Sequence, residues 1–197
     1  MVNVGFIVEG GTEKIIIDSQ PFKNFAATHG IHVVDPVIDA RGNGNLLPSN
    51  IDNFIARLVK SNANKIVVVT DADDFTIAEV KQRICPSGSP SKIDLVIVAV
   101  KAFEAWFLAC DDLMKRALNF PGFCIDYPES TPHSPYDYIK SLANNNPNVR
   151  GPGTKTNFAK RVLKNGFSIE IAAQNPNCPS AKYFLDKLVE IGSGIDP

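Results

Sequence analysis

The sequence predicts an α/β fold: a mostly parallel, four-stranded sheet flanked by helices, with a helical C-terminal extension. Three observations carry this. The runs Val2–Val8, Lys65–Thr70 and Asp94–Val100 have the length and β-branched content of strands buried on both faces of a parallel sheet. Helical patterns alternate with them, which is the signature of helices crossing over such a sheet. After about Asn119 the strand signal stops, and proline and asparagine accumulate.

In chain order, Val2–Val8 ends abruptly at Glu9-Gly10-Gly11. Thr12 is placed to cap a helix carrying Glu13 in its first turn and running toward His29. Pro21 kinks or splits that helix, and Gly30 stops it. Ile31–Ile38 reads as a second strand, interrupted by Pro36 and so an edge or a strand end. Asp39–Ser49 is a glycine- and asparagine-rich loop, and Ser49 can cap a helix from Ile51 to about Ser61. Lys65–Thr70 leads into Asp71-Ala72-Asp73-Asp74 and a helix over Thr76–Ile84. Cys85–Ser91 has turn composition. Asp94–Val100 follows, and then one helix over Phe103–Leu118, whose Phe103, Trp106 and Phe107 belong to the core.

The boundaries are a core over residues 1–118 and an extension over 119–197 packed on it. In the extension, helices are expected near 134–143, 155–165 and 179–191, ahead of a frayed tail.

A chain of 197 residues can bury a core without staples, and its Lys and Arg total 20 against 21 for Asp and Glu, a net charge of −1. That balance supplies no global attraction to nucleic acid or anionic membrane, so any polyanion must meet a local patch or a bound cation. None of Cys85, Cys110, Cys124 and Cys178 forms a CxxC pair, which argues against a zinc site. The start of the chain lacks the basic and apolar regions of a signal peptide, and no run reaches the roughly 18 apolar residues of a membrane span. These features point to a cytoplasmic protein with reduced thiols.

In open α/β sheets ligands bind beyond the carboxyl ends of the strands. Glu9, Glu13, Asp71, Asp73 and Glu104 all fall at such ends if the three long strands are neighbours. Carboxylates gathered there repel, and a hard cation such as Mg²⁺ removes the conflict. The Asp71-x-Asp73 spacing suits a ligand pair, because alternate residues of an extended segment point the same way. All but Glu9, which opens a glycine turn with no capping duty, also have a plainer role: the aspartates at a helix start, Glu13 facing a helix dipole, Glu104 on a helix surface.

The motifs Ile7–Glu13 (IVEGGTE) and Val67–Asp74 (VVVTDADD) resemble the TOPRIM signature of topoisomerases, primases, OLD-type nucleases and small recombination proteins. The resemblance implies a Rossmann-like sheet and Mg²⁺- or Mn²⁺-dependent nucleotidyl transfer or phosphodiester cleavage. Glu9 then matches the general acid/base, Asp71 and Asp73 the metal ligands together with Glu9, and Glu13 an accessory of nuclease-like branches. The chain is also similar to a bacterial group with a TOPRIM-like core, domain of unknown function 4276. The shared features are Lys101–Leu108 around Glu104-Ala105-Trp106, the loop Arg41–Asn45, and Cys178-Pro179-Ser180 before the last helix. Tyr127, Tyr136, Tyr138 and Tyr183 all lie in the extension without a nucleophile's context, which disfavours strand passage.

Candidate phosphate contacts are Arg41 in its glycine loop, Lys101 beside Glu104, and Lys155 and Lys160 in the basic stretch Arg150–Lys164. The leading expectation is therefore a metal-dependent nuclease, with Glu9, Glu13 and Glu104 as catalytic groups, acting on nucleic acid in defence against foreign DNA. A non-catalytic binding module beside an ATPase subunit is the alternative. A homodimer is left open, and a phosphatase-like use of Asp71 and Asp73 is a weaker third reading.

Overall fold

The computed structural model describes residues 1–87 and 92–194. The chain is an α/β protein with a parallel sheet of five strands, where the sequence suggests four. The strands are β1 (Val2–Val8), β2 (Ile31–Val33), β3 (Ile38–Asp39), β4 (Lys65–Asp71) and β5 (Leu95–Ala99), and the order is β2-β1-β4-β5. The extra strand arises because the run Ile31–Ile38 divides around Pro36, which has no N–H to donate to a ladder. β2 pairs with the start of β1 and β3 with its end, at Ile7–Val8.

Side-chain alternation makes two apolar layers. Val4, Phe6, Val8, Val67, Val69, Leu95 and Ile97 face one, and Ile7, Ile66, Val68, Val96 and Val98 face the other. Helix α3 (Pro48–Lys60) and helix α4 (Ile77–Ile84) cover the second layer through Ile51, Ile55, Leu58, Val80 and Ile84.

The first layer is covered by helices from both halves of the chain. These are α1 (Gly11–Ile17), α2 (Gln20–Thr28), α5 (Glu104–Leu108), α6 (Asp111–Leu118), α7 (Pro135–Asn145), α8 (Lys155–Lys164), α9 (Ile169–Ala173) and α10 (Pro179–Gly192). Phe158, Phe167, Phe184 and Leu188 from the extension join Phe6, Phe22, Trp106 and Phe107 in one cluster. Phe184 stacks between Phe22 and Trp106, at centroid distances of 5.8 and 5.6 Å.

Several elements differ from the sequence expectation. The first helix is two helices, broken at Asp18, with Ser19 capping α2 and Pro21 in its first turn. Thr12 is not the cap of α1, which begins at Gly11 behind Gly10. Leu47, not Ser49, precedes α3, and Pro48 opens it. The predicted helix Phe103–Leu118 breaks at Cys110, whose ψ of 73° is not helical. There the Asn175 side chain donates to the Ala109 carbonyl at 3.2 Å, and the acidic pair Asp111-Asp112 starts α6. Helix α9 is five residues long, too short to show a helical period. Part of the predicted turn Cys85–Ser91, and the end of the predicted frayed tail, lie outside the described residues. Among those described, no helix is long and apolar enough to cross a membrane.

Candidate functional site

β1, β4 and β5 are neighbours, so their carboxyl ends share one edge of the sheet. Glu9 follows the last residue of β1. Its Oε2 accepts hydrogen bonds from the Thr70 hydroxyl at 2.6 Å and from the Asp71 amide at 3.1 Å. Asp71 ends β4, and its Oδ1 accepts from the Phe103 amide at 2.8 Å, in the turn after β5. The bonds run β1 to β4 to the β5 turn and fix the relative heights of the three strand ends.

Glu13 reaches back to cap its own helix, accepting from the Gly10 amide at 3.2 Å. Its side chain nevertheless lies inside, at 4% exposure. Glu104 is more deeply buried, at 1%. It accepts from the Thr12 hydroxyl at 3.3 Å and meets the Lys155 ammonium at 3.4 Å. Thr12 therefore ties α1 to α5 instead of capping α1.

Lys155 comes from the extension, at the first position of α8, behind the cap residue Thr154. α1 and α8 pack closely enough that a Cβ on Gly11 would stand 2.9 Å from the Thr156 methyl. Glycine at position 11 is what lets α8 bring Lys155 over the acidic edge.

These residues line one open cleft of about 360 Å³: Glu9, Glu13, Asp71 and Glu104, together with Asp39, Arg41 and Lys155. Burial, and then the neighbouring charges of Glu104 and Glu9, push the Glu13 carboxyl up to about 7. Desolvation, and then Glu13, Glu104 and Glu9, raise Asp71 well above the usual carboxylate range. Burial works against the Lys155 charge, but Glu104, Asp71 and Glu13 outweigh it and hold its pKa above the ordinary value. The cleft thus gathers five carboxyl groups, Asp39 included, beside the cations of Lys155 and Arg41.

Comparison with protein-family models, curated proteins and solved structures found no match.

The structure brings Glu9, Glu13, Asp71, Glu104, Arg41 and Lys155 together and leaves three sequence candidates out. Asp73 does not line the cleft. β4 stops at Asp71, Asp73 adopts φ of 49°, and alternation along an extended segment no longer applies. Its carboxylate faces the Asn43 amide at 3.5 Å. Lys101, with φ of 61°, sends its ammonium to the Thr131 carbonyl at 2.6 Å, which ties the β5 turn to the extension. Lys160 is exposed and lines no part of the cleft.

Arg161 is spent on the carbonyls of Ala117, Gly151 and Pro152. Conversely, Asp39 lines the cleft from the end of β3, where its Oδ1 accepts from the Arg41 amide at 2.7 Å. The signal for it was a strand ending in Asp, concealed because β3 is two residues long.

The donor set is all carboxylate oxygen, the chemistry a hard divalent cation prefers. Among the described residues, no three His, Cys, Asp or Glu side chains already surround one point at ligand positions. Mg²⁺ does not require such a cage, because it commonly takes one or two carboxylates and keeps several waters. The carboxylate oxygens of the cleft are donors of the kind that ion takes.

Proposed function

We propose that the chain is a Mg²⁺-dependent nuclease, or a related phosphodiester-transfer enzyme, of the TOPRIM type acting on nucleic acid. The observation that carries the reading is the convergence of Glu9, Glu13, Asp71 and Glu104 in one cleft at the carboxyl edge of a parallel sheet, with Lys155 against them. The resemblance of Ile7–Glu13 and Val67–Asp74 to the TOPRIM motifs supports it independently of that geometry.

In this reading Glu9 and Asp71 would hold the ion, whose chemistry would be to lower the pKa of water and neutralise charge at the scissile phosphate. Glu13, with its pKa near 7, takes or gives a proton at neutral pH. Lys155 and Arg41, which both line the cleft, would meet the phosphate oxygens. Phe103 and Thr70 keep Asp71 and Glu9 in place through their hydrogen bonds. The test is cleavage of end-labelled oligonucleotides with Mg²⁺, with Mn²⁺ and with EDTA. Activity should need the metal and vanish in Glu9→Gln and Asp71→Asn; cleavage that survives both substitutions refutes the assignment.

The hydrogen bonds already made by Glu9, Asp71 and Glu104 favour a second reading: a non-catalytic module that binds nucleic acid or an ATPase subunit. It predicts nucleic-acid or partner binding that is unchanged in the same two variants, and no turnover.

A further inference from the structure

Beside the acidic cleft lies a smaller hollow lined by Asn43, Asp71, Asp73, Phe75 and Arg83. Asp71 lines both spaces, and Gly42 in the cleft precedes Asn43 in the hollow, so the two are adjacent. Phe75, one of its lining residues, is 47% exposed, and Ile77 two positions on is 43% exposed. The Arg83 guanidinium carbon lies 4.6 Å from the Phe75 ring centroid.

A single exposed phenylalanine is ordinary surface. The arginine makes this one different. Lys155, Lys101 and Arg161 are each held by protein partners. Arg83, among the described residues, has the ring and no ion pair or side-chain hydrogen bond. A guanidinium laid on a ring leaves a flat π-face with a cationic rim. Asp73 and Asp74 beside it disfavour a phosphate in the hollow itself. An anion is therefore directed to the Arg83 rim and an uncharged flat group to the ring. A nucleotide has that pairing of parts. Its base must be unpaired, because bases stacked inside a duplex present no free face.

We propose that Phe75 and Arg83 form a stacking platform for an unpaired base of single-stranded nucleic acid whose neighbouring phosphate enters the acidic cleft. This rests on the phosphodiester reading and adds the substrate's strand state to it.

The experiment is fluorescence anisotropy of a labelled oligothymidylate and of a labelled duplex, with Ca²⁺ in place of Mg²⁺ so that the acidic cleft is neutralised without the cleavage metal. Phe75→Ala should weaken single-strand binding about tenfold, in line with the loss of one base–aromatic stack, and leave duplex binding unchanged. Phe75→Trp should restore binding. Because Trp106 is the chain's one tryptophan and is fully buried, an indole at position 75 also reports directly, through quenching by the single strand. Equal affinities of wild type and Phe75→Ala, or a Phe75→Trp signal that ignores bound oligonucleotide, overturn the platform while Asp71-dependent cleavage stands. A wild-type protein that binds neither nucleic acid overturns the platform and the phosphodiester reading together.

Discussion

The carboxylate of Glu9 accepts a hydrogen bond from the backbone amide of Asp71 at 3.1 Å, although 62 positions separate them in the chain. Parallel pairing of β1 with β4 makes this contact, with Val8 opposite Val69. It places the acid that ends one strand against the acid that ends the next. The electrostatics of the cleft follow from that register.

One consequence is a pH dependence of the metal-free protein. The Glu13 carboxyl is held at about 7 in the fold against 4.5 as its ordinary value. Between those pH values the folded state binds more protons than the unfolded state, so stability falls as pH rises through this window. The loss is on the order of 3 kcal/mol for so buried a group. Thermal melts in EDTA from pH 4.5 to 8 should show this decline, and Glu13→Gln should make it shallower, with Asp71 keeping a share of its own. An equal slope in wild type and Glu13→Gln would show that the carboxyl is ionised throughout.

Lys155→Ala removes the cation facing Glu104, a carboxylate 1% exposed. The lysine side chain is itself 51% exposed, so the penalty is reduced from that of a fully buried pair, to about 1–2 kcal/mol at pH 8. At pH 5 the cluster can take up protons in compensation, and the variant should then melt closer to wild type. Paired melts at the two pH values measure the difference. A loss that is equal at both assigns the lysine to packing alone.

The extension is bound to the sheet through Ser180 at the start of α10. Its hydroxyl donates to Glu129 at 2.5 Å and accepts from the Trp106 indole at 2.7 Å. Ser180→Ala strands the buried Trp106 indole donor and leaves Glu129 Oε1 with the Ser180 amide alone, and should cost about 2 kcal/mol. Far-ultraviolet and near-ultraviolet circular dichroism should melt together in the variant, at a lower temperature. Separate transitions would show that residues 119–194 unfold on their own.

Much of the architecture was legible in the sequence. The long strands β1, β4 and β5 are apolar runs that end in Glu9, Asp71 and the turn before Glu104, and the acids at those ends follow from the topology. The misreadings are local. Asp73 was paired with Asp71 by an alternation that lapses where φ turns positive. Asp39 was overlooked because β3 owes its existence to pairing with Ile7 and Val8, not to a run of its own. The partners of Lys101 and Arg161 are carbonyls of Thr131, Ala117, Gly151 and Pro152, and a carbonyl's availability is a tertiary property that residue identity does not reveal. Phe75 escaped notice for the opposite reason, since an aromatic before a helix cap reads as core until its exposure is seen.

The central claim is that the crowded carboxylates of this cleft take a hard cation. A Mn²⁺ titration followed by electron paramagnetic resonance, on wild type and on Asp71→Asn, tests it without requiring a substrate. Wild type should bind Mn²⁺ saturably, Mg²⁺ should displace it, and the variant should lose that binding. Equal Mn²⁺ uptake by both proteins, or none by wild type at neutral pH, would contradict the account.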